Sequence, residues 1–143
     1  MSENKKKKVT GIGGLFFKCK DPDGMKEWYS RNLGLITNEY GSLFEFRNTD
    51  RPEELNYLKW SPMKDNTAYY APSKKEFMIN FRVKHIEDLV EELKAGSVEV
   101  VDKIESFEYG KFVHVMDPEG HKLEWWEPID QLFTDEYKGK TTH

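Results

Sequence analysis

Apolar and polar positions along the chain follow two rhythms, and their order repeats. Val9 to Cys19 is rich in β-formers and is closed by Asp21-Pro22-Asp23-Gly24, which predicts a strand and a turn. Met25, Trp28, Tyr29 and Leu33 then recur at helical spacing. Gly34 supplies the C-cap and Leu35 the apolar contact beside it, so a short amphipathic helix is expected over Met25–Leu33. Further strands are expected around Leu43–Arg47 and Asn56–Trp60, the second ended by Ser61-Pro62, with irregular Pro-containing chain to Pro72. The order then starts again, with a strand Phe77–Val83 and a helix Ile86–Lys94 that stops at Gly96. Strands follow at Val98–Ile104, Lys111–Met116 and Lys122–Glu127, the last two joined by the turn Asp117-Pro118-Glu119-Gly120. Trp60-Ser61-Pro62 and Trp126-Glu127-Pro128 occupy matching ends of the two runs. The expected class is therefore α+β, built from two βαβββ modules at 9–71 and 72–130 that share one domain. Residues 1–8 are expected to be a disordered basic tail and 131–143 a polar C-terminal tail, docked or frayed.

Composition narrows the function classes. A chain of 143 residues with 37% hydrophobic and 14% aromatic residues can build a core without disulfide staples, and 34% charged residues give it a solvated surface. The formal net charge of −4 disfavours nucleic acid as a main partner, and the single basic block, Lys5 to Lys8, reads as a solubilising tail. No apolar run approaches the roughly 20 residues of a bilayer span, and the opening Met1-Ser2-Glu3-Asn4-Lys5 lacks the apolar stretch of a signal peptide. A cytoplasmic protein with no membrane partner is expected. Cys19 is the only cysteine, which leaves no intramolecular disulfide and no Cys-rich zinc site.

Several motifs in this order and spacing carry a resemblance. They are Phe16-Phe17-Lys18, Lys20-Asp21-Pro22, Glu27-Trp28-Tyr29 with Leu33-Gly34-Leu35, Tyr109-Gly110-Lys111-Phe112, and the run from Asp117 to Pro128. Together, over roughly Val9 to Pro128, the chain resembles the vicinal oxygen chelate superfamily of glyoxalase I, bleomycin-resistance proteins and extradiol dioxygenases. The resemblance implies two modules whose mixed sheet curves into an open cup with the helices on its outer face, and a homodimer. It also implies, for enzymes of the family, a divalent metal in the cup. Its ligands come from early in the first strand and the middle of the last strand of each module. Here those places map to Gly14, Met78, Leu58 and Glu124, of which only Glu124 is a metal-binding type. One carboxylate beside Gly, Leu and Met does not make a divalent cation site, so no metal and no cofactor are expected.

Strand alternation nominates the cup lining. Leu15, Phe17 and Cys19 suit the helix side, as do Phe77, Ile79, Phe81 and Val83, which leaves Phe16 and then Met78, Asn80 and Arg82 facing the cup. On the last strands Leu58 with Trp60, and Glu124 with Trp126, are assigned to the same lining, and Phe44 or Phe46 joins it. His85, His121 and His143 are expected to be exposed. His114, by hairpin pairing across a four-residue turn, is expected opposite Leu123 on the helix side as a packed residue.

Three readings follow. The first is a metal-free protein that binds a small, partly aromatic molecule on Phe16, Leu58, Trp60, Met78, Asn80, Arg82, Glu124 and Trp126. The second is a metal-dependent lyase or dioxygenase of the glyoxalase type, and the third an interaction-only paralogue. Within the lining Glu124 is the only catalytic candidate, as a buried general base of raised pKa; the plainer alternative pairs it with Arg82 as a structural ion pair. No Ser-His-Asp set, Cys-His pair or phosphate-binding Gly loop accompanies it.

Overall fold

The computed structural model describes residues 8–143, so the basic tail, up to Lys7, lies outside the described residues. The first half of the chain forms β1 (Val9–Cys19), α1 (Pro22–Leu33), β2 (Thr37–Asn38), β3 (Gly41–Arg47) and β4 (Leu55–Lys64). The second forms β5 (Phe77–Val83), α2 (Ile86–Ala95), β6 (Glu105–Phe107), β7 (Gly110–Met116) and β8 (Lys122–Pro128), followed by α3 (Asp130–Tyr137). All eight strands join one mixed sheet in the order β2-β3-β4-β1-β5-β8-β7-β6. In each half the first strand runs parallel to the last, β1 with β4 and β5 with β8, and the remaining strands add antiparallel outward. At the centre β1 and β5 meet antiparallel, with Leu15 opposite Ile79. The α+β class and the doubled strand-helix-strand order are as the sequence pattern predicts.

Local chemistry explains where the helices start and stop. At the head of α1 the Asp21 carboxylate accepts from the Gly24 N–H and Pro22 occupies the first turn; at its end Gly34 takes the left-handed conformation (φ 75°) that a side chain would strain. α2 buries Ile86, Leu89 and Val90 against Val83, Val113, Val115 and Trp125. The α1 side is aromatic: the Tyr29 ring lies 4.5 Å from that of Trp60, which in turn meets Phe17 at 5.6 Å. Phe81 and Val83 thus face a helix as expected, whereas Leu15 and Phe77 on the same side are each 42% exposed, because α1 sits over β4 and α2 over β8 and neither covers the seam.

Four expectations are corrected. Val98–Ile104 is not a strand: it makes a single bridge, Val100 to Val115, and its apolar side chains pack on the α2 core instead, while the outer strand falls at Glu105–Phe107. β4 does not end at Ser61-Pro62 but runs to Lys64; β3 stops pairing with it at Trp60, so Pro62 sits where only one neighbour needs ladder bonds. The C-terminal residues form α3 on the face of the sheet opposite α1 and α2, where Phe133 is buried against Tyr57 and Trp126. Beyond α3, Thr141 is fully buried and the Thr142 N–H donates to the Leu43 carbonyl at 2.8 Å.

The fourth correction is a register. The β7–β8 connection holds five residues rather than four, because the Asp117 carboxylate accepts from the N–H groups of Glu119 and His121 and from the His121 ring, and Met116 then pairs with Lys122. One added residue moves His114 from Leu123 to Glu124 and from the helix side to the inner face.

Candidate functional site

Ladder registers place one row of side chains across the inner face of the sheet. Lys59 on β4 lies beside Gly14 on β1, Gly14 opposite Asn80 on β5, Asn80 beside Glu124 on β8, and Glu124 opposite His114 on β7. The four central places are therefore Lys59, Gly14, Asn80 and Glu124. Gly14 and Glu124 stand where expected, Met78 lies one alternation further along the inner face opposite Phe16, and Leu58 is replaced by Lys59. The alternation of β4 is the reverse of that expected. The Trp60 ring packs on α1, which puts Leu58 on the helix side with it, while Tyr57 and Lys59 face inward. Trp60 and Trp126 are thus on opposite faces and do not form a clamp.

Glu124 is 2% exposed, and each of its oxygens is used. Oε1 accepts from the Asn80 amide at 2.7 Å; Oε2 accepts from His114 Nε2 at 2.9 Å and from the Tyr69 hydroxyl, delivered by the chain between the two halves. His114 completes a line of three, since its Nδ1 meets Asp102 Oδ2 at 2.7 Å while Asp102 Oδ1 accepts the His114 N–H. Burial pushes the Glu124 carboxyl up, but the bonds from His114, Tyr69 and Asn80 outweigh it and hold it below the usual range. Burial likewise opposes charge on His114, and the hydrogen bond and charge of Glu124, then those of Asp102, win and raise it. The outcome is a buried imidazole whose charged form is favoured by the carboxylates on either side of it. A raised-pKa general base at Glu124 is thereby corrected, as is its pairing with Arg82.

Arg82 belongs to a second network. Its guanidinium donates to Asp130 Oδ2 at 2.5 Å and to the Tyr57 carbonyl at 3.1 Å, just short of the first β1–β4 pair, and lies over Trp126 (5.5 Å) and Phe46 (5.9 Å). Of the two phenylalanines on β3, Phe46 is the one placed against this group. Asp130 opens α3, so the ion pair fixes the helix across the inner face. The face is therefore covered at two places, by Tyr69, whose hydroxyl reaches Glu124, and by α3.

Between the sheet and α3 a cavity of about 420 Å³ remains, lined among others by Phe16, Leu43, Lys59, Tyr109, Phe133 and Tyr137, with Trp60, Ser61, Glu108 and Glu136 also in its lining. The Lys59 ammonium projects among three aromatic rings, 5.2 Å from the Tyr109 centroid, 5.5 Å from Trp126 and 5.6 Å from Phe133. Among the described residues it has no hydrogen-bond acceptor and no carboxylate within ion-pair distance. Burial lowers its pKa, against the pull of Glu124. Of the residues expected to line a ligand site, Phe16 reaches this cavity and Trp60 borders it; Asn80, Arg82, Glu124 and Trp126 are inward but engaged, Met78 is buried, and Leu58 is on the other face.

The row does not suit a divalent metal. A cation, a glycine and an amide flank the single carboxylate, and His114 directs its two nitrogens to opposite carboxylates, so Asp102, His114 and Glu124 do not converge. Among the described residues no group of three His, Cys, Asp or Glu side chains is placed to hold a metal ion. His85 and His143 are exposed as expected, while His121 is partly buried on Asp117. Among the described residues no helix is long and apolar enough to cross a membrane.

No protein-family model matches the chain, and no curated protein matches it. Solved structures do. A Streptomyces coelicolor methylmalonyl-CoA epimerase variant in complex with 2-nitronate-propionyl-CoA aligns with a TM-score of 0.62 at 13% identity, covering 85% of this chain and 99% of that one. Methylmalonyl-CoA epimerase from Mycobacterium tuberculosis aligns at 0.58 and 18% identity over 90% and 94%. A glyoxalase/bleomycin resistance protein/dioxygenase superfamily member from Vibrio splendidus 12B01 aligns at 0.50 and 17% identity over 81% and 97%. At these identities the likeness is one of fold, and with the palindromic strand order it establishes that this chain carries the vicinal oxygen chelate fold.

Proposed function

We propose that this protein binds a small, partly aromatic molecule in the cavity between the sheet and α3, without a divalent metal. The observation that carries the reading is the cavity itself: about 420 Å³, lined by aromatic rings, with one partly buried ammonium that has no carboxylate within ion-pair distance among the described residues. That volume lies within the roughly 300–1,000 Å³ typical of small-molecule sites, and a few polar points among aromatic walls are what such sites use for orientation. Glu108 and Glu136 oppose an anion at the entrance and Lys59 opposes a cation inside, which favours a ligand without net charge. The buried networks at Glu124 and Arg82 hold the walls in place, and both oxygens of the Glu124 carboxylate are engaged by Asn80, His114 and Tyr69.

A thermal-shift screen with neutral aromatic compounds tests this. Wild type is expected to gain melting temperature with a subset of them and with none of the divalent cations. Leu132→Trp, which fills the cavity from α3, is expected to fold and to lose the response. A response that survives in Leu132→Trp, or stabilisation by zinc or nickel instead, overturns the reading.

A further inference from the structure

Of the lysines in contact with rings, Lys18 lies over one, that of Tyr70 at 5.2 Å, whereas Lys59 lies among three. Lys122 also lies over an aromatic ring, that of Tyr69, but it donates to the Tyr69 carbonyl at 2.7 Å. Elsewhere Lys26 and Lys64 donate to backbone carbonyls, and Lys8 and Lys111 pair with Glu92 and Glu87. Lys59 lines the 420 Å³ cavity and is held by three ring faces and by no acceptor among the described residues. A lysine becomes a nucleophile when burial disfavours its ammonium and no carboxylate holds it in an ion pair; here burial outweighs the more distant charge of Glu124, and no carboxylate among the described residues lies within ion-pair distance.

We propose that Lys59 captures an aromatic aldehyde from this cavity as a protonated imine. The inference rests on the binding reading above and names its ligand class. The amine nitrogen attacks the carbonyl carbon, a C–N bond forms, and the carbonyl oxygen departs as water carrying two protons from nitrogen. An ammonium and an aldehyde thereby become an iminium and water, with the charge unchanged. That conservation of charge is why an aldehyde fits. The iminium keeps a cation among the faces of Tyr109, Trp126 and Phe133, where ring quadrupoles favour it, while Phe16 and Tyr137 offer apolar surface to the aldehyde's ring. An anionic ligand would draw the ammonium away from those rings and meet Glu108 and Glu136.

The test treats the full chain with benzaldehyde near neutral pH, reduces with cyanoborohydride, and locates added benzyl groups by peptide mapping. The expected result is one benzyl group per chain, at Lys59, formed about tenfold faster than at any other lysine. Propionaldehyde is expected to label Lys59 less, and Lys59→Arg, which keeps a cation among the rings, to take no label in that peptide. Labelling spread evenly over the lysines overturns the proposal. Benzyl alcohol, which has the ring but no carbonyl, separates the two claims. If it raises the melting temperature while benzaldehyde leaves Lys59 unlabelled, the cavity binds aromatics and the imine is refuted. If neither compound shifts the melting temperature and Lys59 stays unlabelled, both claims fall.

Discussion

His114 is the residue on which the inner face turns, because it is buried between two carboxylates that favour its charged form. Its raised pKa means that its contribution to stability is fully present below the unfolded value of about 6.5 and is lost as pH rises through the higher folded value. Glu124 is depressed, so its contribution is present above about 4.3 and is lost as pH falls through the lower folded value. Both are complete between about pH 4.3 and 6.5, and denaturation midpoints are expected to decline on the alkaline side of that window. His114→Gln should lower stability within the window by about 3–5 kcal/mol, as for a broken buried pair, and should flatten the alkaline decline. An alkaline slope unchanged in that variant would place its source elsewhere. Glu124 was legible from residue type and strand alternation alone. His114 was misplaced because a carboxylate on a turn captured one more N–H than a four-residue hairpin allows, and Lys59 because alternation leaves two choices on β4 and the aromatic Trp60 argued for the wrong one.

Among the elements, the two outer helices and most strands announce themselves by periodicity, and α3 does not. It buries only Phe133, has no side-chain cap at its start, and is otherwise polar, so nothing short of the folded sheet beneath it specifies a helix. Its position comes from the Arg82–Asp130 pair, the Tyr57–Thr134 hydroxyl contact at 2.8 Å and the Phe133 ring, all contacts far apart in sequence and therefore invisible to a local pattern. Phe133→Ala is expected to cost about 3–5 kcal/mol, the usual range for a buried Phe truncated to Ala. Amide hydrogen exchange is expected to accelerate over 130–143 before it does so over β7 and β8. Uniform acceleration across the sheet would mean that α3 is integral to the core rather than laid upon it.

For the molecule as a whole, the seam between the halves depends on the absence of side chains on β1. A Cβ at Gly13 would stand 2.4 Å from Asn80 Oδ1 and 2.9 Å from both the Arg82 and Trp126 side chains, which cross β1 at this point. Gly13→Ala should therefore destabilise by about 1–3 kcal/mol, the range for an overpacked core, with the far- and near-ultraviolet signals melting together. Separate transitions would mean that the halves are independent. The seating of the C-terminal residues bears on something else, the behaviour of many copies at once. β2 shields β3 only at Thr37 and Asn38, and the sheet's other end is the three-residue β6, so β3 is the longest stretch of outer backbone open to a foreign strand. Thr142 occupies it, with its N–H on the Leu43 carbonyl and its hydroxyl on Ser42 and the Ile36 N–H. Residues 141–143 thus cover this edge at Phe44, and a chain lacking them is expected to scatter light through edge-to-edge association before its melting temperature falls.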